Sequence, residues 1–157
     1  MRFLLASHLP PWPPVGGGQQ RTHLLWRALK ELGEVDFLLL VNRYNRREAA
    51  TAKEWGPRFG LKAIVDEPTW GEGPLAKGLR RAGLGGLVHA LAYHRDGGRR
   101  LLAASQPAVE ATRRQLNPGD YDLIIGGYMR TVVTCGLVGG PVPVALDVDD
   151  YQPDLLR

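Results

Sequence analysis

The sequence predicts an α/β fold: a mostly parallel β-sheet with helices on both faces. Short apolar runs alternate with amphipathic stretches about five times along the 157 residues. Alternation of this kind closes into parallel strands joined by right-handed crossovers. The run over residues 35–41 is nearly all apolar after Asp36, as strands are when both sheet faces are covered.

Residues 2–7 form the first buried strand. The loop after it, residues 8–18, holds four prolines and three consecutive glycines, which exclude regular structure. From about Gln19 a helix runs to Leu32, with Leu25, Ala28, Leu29 and Leu32 on one face and Arg27, Lys30, Glu31 and Glu34 on the other. Gly33 is its expected C-terminal stop. Residues 35–41 make the second strand, residues 46–59 a helix, residues 61–65 the third strand and residues 67–73 a loop.

Residues 75–93 are weakly helical: Leu84, Leu87, Val88 and Leu91 have the spacing, while Gly78, Gly83, Gly85 and Gly86 oppose it. Residues 106–116 are a better helix, with Ser105 as N-cap and Pro107 in the first turn. Two further strands, residues 121–125 and 142–148, flank a helix over residues 130–137. Residues 154–157 read as a helix just starting. On that reading Arg157 is a boundary within a longer protein, and residues 1–157 are one truncated domain.

Composition fits one soluble domain with its own core: 44% apolar and 23% charged residues. The single cysteine, Cys135, excludes an internal disulfide framework and fits a reducing, cytoplasmic setting. No apolar run approaches the roughly 20 residues a membrane span needs. Net charge is +4 but unevenly placed. Residues 77–114 hold eight Lys or Arg against Asp96 and Glu110, and residues 119–157 hold six Asp against Arg130 and Arg157. The basic stretch can meet an anionic surface, so a peripheral contact with the inner face of a membrane is an expectation for Lys77, Arg80 and Arg81 beside Leu79, Leu84, Leu87 and Val88. No aromatic residues interleave with the basic ones, and no nucleic-acid partner is expected.

Parallel sheets bind ligands at the carboxyl ends of their strands. This rule selects the loop after strand one, residues 126–130 and residues 147–151. Gly16, Gly17 and Gly18 directly precede a helix, where backbone N–H groups and the helix dipole favour a phosphate or sugar; the competing reading is a turn that needs positive φ. Arg21 stands where a dinucleotide fingerprint requires its third glycine, and no Gly-Lys-Ser/Thr of a phosphate-binding P-loop follows. Tyr128 and Arg130 can line an acceptor pocket, with Arg130 contacting a phosphate; the competing reading is a surface pair at a helix start. Trp12 either covers the cleft or packs the loop down, Trp26 packs, and His8, His23, His89 and His94 show no metal spacing; His8, in the loop above strand one, either faces the cleft or is a solvated loop residue, the second reading being preferred.

Residues 2–7, the Pro-Pro loop, Gly16-Gly17-Gly18-Gln19 and the helix into Leu32-Gly33-Glu34-Val35 resemble the opening of family-four, or "group one", glycosyltransferases. Tyr121-Asp122-Leu123-Ile124-Ile125 is similar to a strand of that family, and so is the run from Pro143 to Asp150. The resemblance implies a GT-B fold with two Rossmann-like, three-layer domains, of which this chain is the N-terminal, acceptor-side one. The implied activity is transfer of a sugar from a nucleotide-sugar donor to an acceptor hydroxyl, without cofactor or metal. It implies that Gly16, Gly17, Gly18 and Gln19 contact the donor phosphate or sugar. Asp147, Tyr128 and Arg130 then serve acceptor binding, and Asp149, where many relatives have His, activates the hydroxyl. The family's Glu-x7-Glu pair does not occur here, so the C-terminal donor-binding domain is missing and the isolated chain is expected to be inactive.

Two other readings compete: a non-enzymatic nucleotide- or partner-binding α/β domain, and a Mg²⁺-dependent phosphohydrolase using Asp147 and Asp149 as an Asp-x-Asp pair. A GT-A glycosyltransferase also uses Asp-x-Asp. Neither Asp-x-Asp enzyme explains the Pro- and Gly-rich opening.

Overall fold

A computed structural model describes residues 1–42, 45–67, 78, 79, 81–84 and 104–147. The fold is α/β, with five parallel strands among the described residues. Strand β1 (Arg2–Ser7) leads through loop 8–16 to helix α1 (Gly17–Leu32) and then β2 (Glu34–Val41). Helices α2 (Arg46–Ala50) and α3 (Ala52–Trp55) and a 3₁₀ turn (Gly56–Phe59) precede β3 (Leu61–Asp66). Helix α4 (Gln106–Gln115) and a 3₁₀ turn (Pro118–Asp120) lead to β4 (Leu123–Gly126), α5 (Met129–Thr134) and β5 (Val144–Leu146).

The sheet order is β3-β2-β1-β4-β5. The chain therefore adds strands to one side of β1 and then returns to add them to the other. Leu4 lies opposite Asp36 on β2 and Ile124 on β4. Because side chains alternate across a strand, β1 feeds two cores. Leu4 and Ala6 join Leu38, Leu40, Ala63, Val65 and Ile124 beneath α4 and α5. Phe3 and Leu5 join Phe37, Leu39 and Ile125 beneath Leu29 of α1. This covering of both faces is why β1 and β2 are apolar over most of their length, whereas edge strand β3 alternates with exposed Lys62, Ile64 and Asp66.

Several boundaries differ from the sequence reading. The expected single helix over residues 46–59 is broken at Thr51, whose φ/ψ of −85°/0° ends α2 and whose hydroxyl donates to the Glu48 carbonyl, 2.7 Å away. Such a local side-chain bond competes with helix propagation, and Pro57 then has no N–H to continue an α-helix. Strand β4 starts at Leu123 rather than Tyr121, after the 3₁₀ turn. Gly33 ends α1 in extended rather than left-handed backbone (φ 167°); a side chain there would strike the Met1 carbonyl, to which Glu34 N–H donates at 2.9 Å. Ser105 is the N-cap of α4 and Pro107 sits in its first turn, as expected. The expected helix over residues 75–93 lies largely outside the described residues; of its basic and apolar groups, Arg81 and Leu84 are described and exposed.

The amino ends of the central strands are tied by polar groups. Asp36 on β2 is 9% exposed and accepts from Arg2 Nη2 at 2.9 Å and from the Tyr121 hydroxyl at 3.1 Å. Burial, then the Asp36 carboxylate, push the Tyr121 phenol up, so it stays a hydrogen-bond donor. Removing the carboxylate strands the buried Tyr121 hydroxyl, whereas exposed Arg2 can rehydrate. Asp36→Ala is therefore expected to cost about 1–3 kcal/mol, the usual cost of an orphaned buried donor, and Tyr121→Phe about 1 kcal/mol. Urea unfolding midpoints measure both; equal losses would contradict this account.

Candidate functional site

The strand order reverses at β1, so the connections leaving β1 and β4 run to opposite faces of the sheet and leave a crevice between their carboxyl ends. Loop 8–16 forms one side of it, and its position is fixed. Trp12 is fully buried, with ring centroids 5.6 Å from Phe37 and 5.5 Å from Phe59. Its indole N–H has no partner among the described residues, a cost of about 1–3 kcal/mol. Burying the ring outweighs this, since truncating such a residue costs about 3–5 kcal/mol. Trp12 thus packs the loop down and does not cover the cleft. His23 Nδ1 lies 3.0 Å from the Pro11 carbonyl, and Leu9 N–H donates to Ser7 Oγ at 3.0 Å. Buried Asn45 donates to the His8 carbonyl and to the Leu40 carbonyl, joining this loop to the end of β2.

The three glycines enter α1 without the positive φ that the turn reading required: Gly16 is extended at φ −105° and Gly17 begins the helix. Their environments differ. Gly16 N–H donates to Gln19 Oε1 at 3.0 Å, so Gln19, 7% exposed, serves the helix start. A side chain at Gly18 would collide with Leu9 and come within 3.7 Å of the Tyr128 hydroxyl. A side chain at exposed Gly17 would meet nothing within 4 Å. Gly16 has no side chain with which to cap α1, whose first-turn N–H groups have no intrahelical acceptor.

Gly127 closes the floor; its N–H donates to the Ala6 carbonyl at 2.9 Å, and a Cβ would stand 2.9 Å from Ser7 Oγ. Tyr128 then reaches from β4 toward α1, its ring 4.3 Å from that of His8. His8 is half-buried. Burial, and then the charge of Arg130, hold its imidazole below the ordinary value, so it is neutral near pH 7. Arg130 is 54% exposed and its Nη2 lies 2.6 Å from Glu67 Oε1, just past β3. Its guanidinium is thus engaged by a carboxylate rather than held ready for a phosphate alone.

Asp147 follows β5, its N–H donating to the Gly126 carbonyl at 2.8 Å. Arg21 of α1 grips both its oxygens, with Nε at 2.7 Å from Oδ2 and Nη2 on Oδ1. The hydrogen bond to Arg21 holds the Asp147 carboxyl below the usual range. The two sequence-selected strand ends and the glycine loop therefore meet around one crevice. Asp149, the expected activating residue, and Asp150 lie outside the described residues. Among the described residues no three His, Cys, Asp or Glu side chains converge to hold a metal ion, and no helix is long and apolar enough to cross a membrane. Burial pushes the Cys135 thiol up to about 11, which leaves it a core residue without nucleophilic character. A shallow open groove at the amino ends, lined by Met1, Arg2, Lys30, Gly33, Glu34 and Asp122, is at the opposite end of the sheet.

Sequence reasoning missed three groups here. Arg21 registered as a broken fingerprint, although it stands one helical turn beyond Gly17, at the same end of α1. His8 read as a solvated loop residue. Asn45 gave no signal, because its bond to the His8 carbonyl joins segments 37 residues apart in the chain.

Arg21 is 42% and Asp147 25% exposed, so their pair is expected to couple by only about 1 kcal/mol in a double-mutant cycle with Arg21→Ala and Asp147→Ala. A folded-state pKa below the unfolded one stabilises above the unfolded value, and that stability is lost as pH falls through the folded value. The coupling should accordingly be full above about pH 4 and vanish at lower pH. A pH-independent coupling energy would contradict the assignment.

Comparison of the chain with protein-family models, with curated proteins and with solved structures gives no match.

Proposed function

We propose that this chain is the acceptor-side, N-terminal domain of a GT-B-type glycosyltransferase, with the nucleotide-sugar diphosphate lying against the start of α1. The observation that carries this reading is Gly17. Nothing among the described residues requires a glycine there: its backbone is not left-handed, and a side chain would meet none of them within 4 Å. At Gly18, by contrast, a side chain would displace the end of Leu9. A bare backbone at Gly17, beside a strand-order switch and the start of a 16-residue helix, suits close approach of a group from outside the chain.

In the reaction so proposed, the bond from the sugar's anomeric carbon to the diphosphate breaks and a new bond forms to the acceptor oxygen. The acceptor's proton passes to a base, the role the resemblance gives Asp149. The first-turn N–H groups of α1 would stabilise the negative charge that develops on the departing diphosphate. A second domain would supply the other wall of the cleft and the nucleotide site.

The Arg21–Asp147 pair weighs against the phosphohydrolase reading. A nucleophilic or Mg²⁺-binding Asp147 would have to surrender an arginine that engages both its oxygens. Calorimetry with uridine diphosphate, guanosine diphosphate and inorganic pyrophosphate tests the proposal. The 157-residue chain is expected to bind at least one with millimolar or better affinity. Gly17→Ala is expected to keep or raise stability by up to about 1 kcal/mol, as glycine is the poorer helix former, while Gly17→Val weakens binding at least tenfold. Binding unaffected by Gly17→Val would sink the placement, and Mg²⁺-dependent phosphate release would favour the hydrolase.

A further inference from the structure

We propose that His8 contacts the acceptor, taking a hydrogen bond from a ring hydroxyl while the Tyr128 ring lies against the acceptor's C–H face. This deepens the reading above by naming what the acceptor side of the crevice recognises: a hydroxylated ring, rather than a second anionic group.

His8 is the first residue beyond β1, at the strand-order switch. Its backbone is fixed by Asn45 and its ring rests on Tyr128 at 4.3 Å with planes inclined by 53°. Tyr128 is itself held between His8 and the start of α1, with its hydroxyl beside Gly18. The imidazole is half-buried, yet it makes no hydrogen bond to another described residue. Its ring nitrogens are consequently polar atoms in a partly desolvated position, where a ligand that bonds them gains more than it would in water.

The charge state selects the kind of ligand. Burial and Arg130 both favour the neutral ring, which carries one N–H donor and one acceptor nitrogen. A hydroxyl has the complementary donor and acceptor, whereas a phosphate would be better served by a cation. Arg130, the cation nearby, is engaged by Glu67. His8 and Tyr128 also differ from Asp147, whose oxygens are committed to Arg21. They are therefore the groups at the β1 and β4 ends best suited to a sugar ring or cyclitol.

The test uses the 157-residue chain with ¹⁵N-labelled histidine. The probes are methyl α-D-glucopyranoside and myo-inositol, with tetrahydropyran as a ring lacking hydroxyls. The hydroxylated rings are expected to receive saturation transfer and to move the His8 ring-nitrogen resonance; tetrahydropyran does neither. His8→Phe, which keeps the aromatic contact, should lose the transfer several-fold, and His8→Gln should retain part of it. Equal transfer with His8→Phe, or an unmoved His8 resonance with both hydroxylated rings, overturns the inference. If His8→Phe does not fold, the wild-type resonance still decides. Uridine diphosphate read at the Gly17 amide separates the two proposals. A Gly17 response with an inert His8 leaves the donor reading standing and removes this one, whereas the reverse removes the donor reading alone.

Discussion

The structure depends on β1 being paired in parallel on both edges, with β2 on one side and β4 on the other. That central position makes β1 apolar on both faces and divides the interior into two cores. It also forces the chain to reverse its direction of travel across the sheet. The crevice at the carboxyl ends is a consequence of this reversal and needs no additional element. What sequence adds is chemistry around it: glycines at the entrance to α1, a histidine beside a tyrosine, and two ion pairs.

The two ends of the sheet are stabilised differently. At the amino ends, Asp36 gathers Arg2 and Tyr121 into a hydrogen-bonded group that links β1, β2 and the segment before β4. At the carboxyl ends, a loop rich in proline is anchored by an indole rather than by regular structure. Trp12 and Asn45 hold it from the α1-side core and from the end of β2. Loops fixed by a rigid scaffold can present polar groups with little ordering cost on binding. The ion pairs Arg21–Asp147 and Arg130–Glu67 extend this bracing across the edge, from α1 to β5 and from α5 to β3.

The order of the described strands and helices was legible because β1, β2 and β4 are mostly apolar runs and α1 between them is amphipathic. The rule that places ligands at carboxyl strand ends singled out the glycine loop and residues 126–130, and the fold brings both to that end of the sheet. Individual roles were less legible. The break at Thr51 arises from a single hydroxyl-to-carbonyl bond that no periodicity reveals. Asp147 looked like a ligand-binding carboxylate, and its bidentate arginine stands 126 residues earlier. The burial of His8 likewise comes from Tyr128, on a different strand's loop. Contacts between segments far apart in sequence leave no local pattern, and these are the contacts that assign each side chain its function.

The central claim is that ligands meet this domain at the β1–β4 crevice. Backbone amide chemical-shift mapping with a uridine diphosphate sugar tests it most directly. The account predicts that the largest shifts cluster at Gly17, Gly18, Gly127 and Tyr128. Shifts concentrated instead at Arg2, Lys30, Gly33 and Asp122, around the groove at the amino ends, would contradict it.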